Sequence, residues 1–433
     1  MRTTTALTAG IGGLALAALV ALPASAATGS WTIINTIPPT VSGGQGVEYA
    51  GALAVDSTRG LVYLSSFYPG DDLDPDHPNP ETSKIFLVDG AAGAVIDTLD
   101  LSCVVPGCND YLAGIDITTD PARDGAWIPY YGSGAVGFVT GGGTGTLVLD
   151  DYVDVATSGD PGERDAMPFA VAVDPATGDA YVSDGDDMSR LSPSGSRIYV
   201  IDGTTHGVTR YGDDGSFDPS FSVLALDPTT STLYVPDQQD DYTAVFDYAS
   251  GLVEQAAIQP DPVWGLNLGT TEAQLDTSIG RLFVTNIGAN NIGVYDAATG
   301  DPTALLDLDG DTPASIAVDE SLHLLVVGTS YNAGENGRLW FFDTRTLALL
   351  DLVEMPGQGI QNVGIDPVLG HVYATGFVDT GGLIGMSAFY TLAWRAALPN
   401  TGAEPDLGIA VFAGLAIVGG AIVLGERRRT QRG

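Results

Sequence analysis

The sequence predicts an all-β chain folded as a seven-bladed β-propeller closed by its N-terminal strand, flanked by a signal peptide and a C-terminal transmembrane helix. Three observations predict it. A strand-turn-strand unit recurs seven times between Trp31 and Trp394. The units are spaced as four-stranded blades are. Each end of the chain carries an apolar run of the kind that export machinery reads.

The unit begins with a short apolar strand ending in Asp, then a turn closed by Gly, as in Ala52-Leu53-Ala54-Val55-Asp56-Ser57-Thr58-Arg59-Gly60 and Ala170-Val171-Ala172-Val173-Asp174-Pro175-Ala176-Thr177-Gly178. The marker aspartates are Asp56, Asp120, Asp174, Asp227, Asp276, Asp319 and Asp366, separated by 43 to 64 residues. Period decides the fold, because one blade occupies one such interval. In the turn the carboxylate accepts a backbone N–H, Pro presets φ, and Gly takes the left-handed position. The seven aspartates are accordingly read as structural, not as seven metal ligands.

Second strands follow the turns, as in Leu61-Val62-Tyr63-Leu64 and His371-Val372-Tyr373-Ala374, and third strands read Ile85-Phe86-Leu87-Val88-Asp89 or Leu339-Trp340-Phe341-Phe342-Asp343. Their β-branched and aromatic content favours strand over helix. The last copy ends at a third strand, Ala388 to Leu392, with no fourth after it. The segment Gly29 to Pro38 has fourth-strand character, so it is expected to complete the last blade and close the ring.

Together these units resemble the YVTN-type β-propeller repeat family. The unit from Phe169 to Thr209 carries the resemblance best, through Tyr181-Val182-Ser183-Asp184 and Ile198-Tyr199-Val200-Ile201-Asp202. The resemblance implies the fold and leaves function open, since propellers host many activities. Copies two and five depart from the pattern at their borders.

At the N-terminus, Arg2 precedes an apolar stretch from Ile11 to Leu22, and Ala24-Ser25-Ala26 offers small residues to a signal peptidase. Residues 1–26 are therefore expected to be a signal peptide; the alternative is a buried N-terminal helix. At the other end, Leu398-Pro399-Asn400-Thr401-Gly402 is followed by an apolar run, residues 407–424, and a tail, 425–433, holding Arg427, Arg428, Arg429 and Arg432. Such a run makes about 27 Å of helix, near the ~30 Å hydrocarbon thickness. The arginines would hold the tail inside by the positive-inside rule.

This C-terminal order resembles the sorting signal of LPXTG cell-wall-anchored proteins of Gram-positive bacteria. The resemblance implies that Leu398, Pro399, Thr401 and Gly402 form the sorting motif. Sortase would cut between Thr401 and Gly402 and join the threonine carboxyl to peptidoglycan. The expected location is outside the cell, covalently anchored to the wall, with a membrane-bound precursor held only by the C-terminal helix. A simple membrane anchor with a chance pentapeptide is the alternative.

The exported chain would keep 11 of the 16 basic residues, losing Arg2 and four tail arginines, and 51 of the 54 acidic ones, losing Glu404, Asp406 and Glu426, a net charge of −40. That balance excludes nucleic acid as a partner, because phosphate binding needs a basic surface. Cys103 and Cys108 are the two cysteines, and in an exported protein they are expected to form a disulfide across the Pro106-Gly107 turn. So short a loop contributes about 2 kcal/mol. Zinc would find no further cysteine and few histidines.

Common nucleophile, phosphate-loop and zinc-protease motifs do not occur. The acidic insertion Asp71-Asp72-Leu73-Asp74-Pro75-Asp76 sets Asp72, Asp74 and Asp76 at alternating positions that Ca²⁺ could use, although a solvated loop explains them too. Positions five before the marker aspartates line the expected channel mouth. They include Phe169 and Gln361, with Trp264 in the corresponding place of copy five. Phe169 and Trp264 could stack on a sugar or peptide or plug the core. The expected function is a surface binding or adhesion module for a glycan or protein. The alternative is an extracellular metal-assisted enzyme, lactonase-like or lyase-like, with its site at the channel mouth.

Overall fold

The structure is a computed structural model that describes residues 29–39, 50–66, 84–101, 113–114, 116–131, 134–155, 168–185, 197–211, 222–238, 241–261, 269–330, 336–357, 359–378 and 387–396. These form seven antiparallel sheets in chain order around an axis. The innermost strands of blades 1 to 7 are Ala50–Asp56, Thr118–Asp120, Pro168–Val173, Ala225–Asp227, Thr270–Asp276, Thr312–Asp319 and Gly359–Asp366. Each expected copy is a blade, including the two with irregular sequence. In blade 2 the inner strand is split, with Ala113–Gly114 and Thr118–Asp120 both pairing with Gly125–Tyr131.

The ring closes as the sequence predicts. Gly29–Ile37 is the outermost strand of blade 7, paired with Ser387–Ala396, the last strand of the chain. Trp31 anchors this clasp: its ring stacks on Phe341 of blade 6 at 4.9 Å and meets Trp394 edge-on at 6.0 Å. Its backbone N–H donates to Asp351 Oδ2 at 2.6 Å. The clasp thus joins blade 7 to blade 6 as well as to itself.

The core consists of seven separate apolar clusters, one at each interface between neighbouring blades. A middle strand therefore has a partner on both faces, and Leu61–Ser66 is buried at every position. An outer strand such as Ala94–Asp100 alternates between exposed and half-buried residues. The periodicity of the sequence changes across a blade because the number of covered faces changes.

The marker aspartates make the expected turns. Asp56, Asp120, Asp174, Asp227, Asp319 and Asp366 each accept a backbone N–H from two or three residues on, at 2.8 to 3.2 Å. Asp276 accepts instead from Ser278 Oγ, at 2.5 Å, and from Thr344 Oγ1 of the next blade at 2.6 Å. The left-handed position is Gly60, Gly178, Gly280 or Gly370 in four blades, but Asp124, Ser231 and His323 in the others. A second set, Asp89, Asp202, Asp247, Asp296 and Asp343, does the same between third and fourth strands. Much of the acidity of the chain is thus turn chemistry.

Several scarce basic residues brace adjacent blades on the turn side. Arg123 reaches the carbonyls of Gly178 and Gly203 while pairing with Asp120. Arg59 donates to Pro121 O at 3.1 Å, and Arg281 to Arg345 O at 2.7 Å.

The expected signal peptide, the sorting residues Leu398, Pro399, Thr401 and Gly402, the span 407–424, the tail 425–433, and Cys103 and Cys108 all lie outside the described residues. Among the described residues no helix is long and apolar enough to cross a membrane.

Candidate ligand site at the propeller axis

A blade radiates from the axis, so the axis meets the edge of each inner strand and not one of its faces. Side chains of both parities along that strand can then line the channel. The structure shows a central cavity of about 390 Å³ lined by all seven blades. Most of the residues that line it are aliphatic, with Leu53, Ile117, Val171, Leu224, Ile316 and Val363 each three residues before a marker Asp, while polar atoms face the cavity in about equal measure.

The polar side chains that line it are Asp116, Thr118, Glu272, Gln274 and Asn362, and among the described residues no Lys, Arg or His joins them. Asp116, Glu272 and Asn362 share one position, four residues before Asp120, Asp276 and Asp366, and Ala52, Ala170, Val223 and Ser315 occupy it in the other blades. The backbone is irregular there. Register shifts fall between Ala50 and Leu53, Pro168 and Val171, Thr270 and Ala273, Pro313 and Ser315, and Ile360 and Asn362. Such bulges unpair a residue from its own sheet and re-aim it.

From this position, at or beside the bulge, side chains reach the neighbouring blade. Asp116 Oδ2 accepts from Val171 N at 2.9 Å, and Glu272 Oε2 accepts from Ile316 N at 3.0 Å. Ser315 Oγ makes the same bridge to Val363 N at 3.4 Å. The backbone around Glu272 also bridges to blade 4, where Val223 N donates to Thr271 O at 2.8 Å and Ala273 N to Val223 O at 3.1 Å.

Both carboxyls are more than nine-tenths buried, Asp116 at 8% exposure and Glu272 at 7%. Desolvation dominates their titration. Burial pushes Asp116 up to about 6 against the pull of its bonds from Val171 and Ile117. It pushes Glu272 up to about 8, and the charge of Asp116 adds to the rise. A carboxyl held neutral near pH 7 can donate as well as accept a hydrogen bond.

Of the sequence-predicted ligand residues, Phe169 and Gln361 are described, and neither lines this cavity. Phe169 is half-buried in the inner strand of blade 3. Gln361 is half-buried beside Asn362, and its Oε1 accepts from Ser387 Oγ at 2.6 Å. Trp264, Asp72, Asp74 and Asp76 lie outside the described residues. Among the described residues no group of three or more His, Cys, Asp or Glu is arranged to hold a metal ion. Sequence reasoning missed Asp116 and Glu272. Aligning the copies on their marker aspartates exposes them, as the only two acids in a column otherwise small, apolar or neutral.

No protein-family model and no curated protein sequence matches the chain. Among solved structures it is similar to Raptor from Chaetomium thermophilum, with a TM-score of 0.60 and 13% identity. The match covers 86% of this chain and 30% of that one. At this identity the likeness shows the fold alone.

Proposed function

We propose that the protein is an exported propeller, anchored to a Gram-positive cell wall, that binds a glycan or protein ligand through its axial cavity. The observation that carries the binding reading is that cavity. Its size lies within the range of small-ligand pockets, and aliphatic side chains and a few convergent polar groups line it together. The sorting reading is supported by the order Leu398-Pro399-Asn400-Thr401-Gly402, apolar run, arginine tail, through its resemblance to sortase substrates. In this reading sortase processes the chain, peptidoglycan is its covalent partner, and a solvated acidic surface stands clear of the wall.

Thr401→Ala tests the anchoring. The variant is expected to accumulate in the membrane fraction while the wild-type chain is released with peptidoglycan by muralytic digestion. Equal release of both would overturn the sorting reading. Binding is tested by probing intact cells with labelled glycans and proteins, comparing wild type with a strain lacking the chain. Capture is expected to need the chain, and identical capture by both strains would overturn it.

A further inference from the structure

We propose that the axial cavity binds a primary alkylammonium group, its charge met by Asp116 and Glu272, the two acids that line the cavity. The proposal rests on the reading of the cavity as the ligand site and names the chemistry of what enters it. Three features converge on it. The two acids are nine-tenths buried beside a central cavity whose lining, among the described residues, offers them no basic side chain. Burying a charge is costly without a partner, so a ligand that carries the counter-charge gains what the protein itself does not supply.

Second, the structural job of these residues does not call for a charge. Ser315 occupies the same position in blade 6 and bridges to the next inner strand with a hydroxyl. Asn362 holds the place in blade 7. The acidity of Asp116 and Glu272 is therefore surplus to the bridge they make.

Third, the wall selects the rest of the ligand. Leu224, Ile316 and Val363 present methyl groups, which suit a methylene stem beside the charged head. The same alkylammonium chemistry is found on a free alkylamine and on a lysine side chain.

Binding moves protons in a defined way. The ammonium enters charged, a carboxyl that burial keeps neutral gives its proton to solvent, and an ammonium–carboxylate pair remains. At pH 7 that carboxyl is Glu272, while Asp116 is largely ionised already. About one proton should then leave per amine bound.

The test is calorimetric titration of the purified full-length protein at pH 7 with 1-aminobutane, Nα-acetyl-lysine amide and 1-butanol. It is repeated in phosphate and in HEPES, neither of which carries a primary amine and whose ionisation enthalpies differ. The amines are expected to bind and the alcohol not, with the buffer difference reporting proton release. Tighter binding of 1-aminobutane would assign a free amine, and tighter binding of the lysine derivative a peptide. Glu272→Gln keeps an oxygen for Ile316 N and should melt no lower than wild type at pH 7 while losing at least tenfold in amine affinity. Asp116→Asn should do likewise.

No amine binding, equal binding of butanol, or amine affinity unchanged in both variants would overturn the proposal. So would binding without proton release. Ligand capture by cells that persists when amines fail would leave the binding module standing and remove only the ammonium.

Discussion

Trp31→Ala tests whether the ring depends on its clasp. The indole is 8% exposed, stacked on Phe341 and edge-on to Trp394. Truncating a buried Trp costs about 3 to 5 kcal/mol, and lost aromatic pairing accounts for about 0.5 to 1.5 kcal/mol per pair beyond area. We take about 4 kcal/mol. An unfolding entropy of about 2.1 cal/mol/K per residue, over roughly 370 residues, gives about 0.8 kcal/mol/K, so Tm should fall by about 5 °C. Differential scanning calorimetry of wild type, Trp31→Ala and Trp31→Phe reads this directly, with the phenylalanine variant falling between. The loss should appear as one shifted transition, because the clasp joins the first strand to the last blade. A Trp31→Ala protein melting within 1 °C of wild type would refute the reasoning, and so would a separate early transition with the main one unmoved.

Three further outcomes follow from the same geometry. Glu272 titrates higher folded than unfolded, so the native state holds a proton that the unfolded chain has released between the ordinary glutamate range and about pH 8. Its stabilising contribution is complete below that window and is lost as pH rises through it. The Tm of Glu272→Gln relative to wild type should therefore climb from pH 5 to pH 9, and a constant difference would contradict the assignment. Asp276→Ala removes a fully buried acceptor from Ser278 and Thr344. It should cost about 3 kcal/mol in denaturant unfolding, with Asp276→Asn retaining part of the loss. Gly178→Ala places a side chain at φ +77°, with its Cβ 2.5 Å from Arg123 Nη2. A loss of about 2 kcal/mol is expected in the same assay.

The ring, its blade count and its closure were legible because each rests on local chemistry repeated in the chain. An Asp followed by a left-handed residue marks every inner turn, whether that residue is Gly60 or His323. The missing fourth strand after Leu392 pointed to Gly29–Ile37 because an unpaired blade edge is costly to leave. The site was less legible. Strand alternation assigns one face to the channel, whereas the channel meets inner strands at their edge, and the extra residue between Thr270 and Ala273 releases Glu272 from its sheet's register. The signal is positional, and it emerges only when Asp116 and Glu272 are compared with Ser315 and Asn362 in the same column. Phe169 and Gln361, one residue earlier, answer to the backbone and neighbouring strands instead.

The clasp has a mechanical consequence. A chain tethered beyond Ala396 transmits tension into Ser387–Ala396, the strand on which the load would first act. Because Gly29–Ile37 lies on one flank and His371–Phe377 on the other, that strand is held along two seams rather than one. Under the proposed anchoring, drag on the propeller would be shared between the first strand of the ring and its last blade, so that the strand nearest the tether is stiffened by the strand that opens the fold.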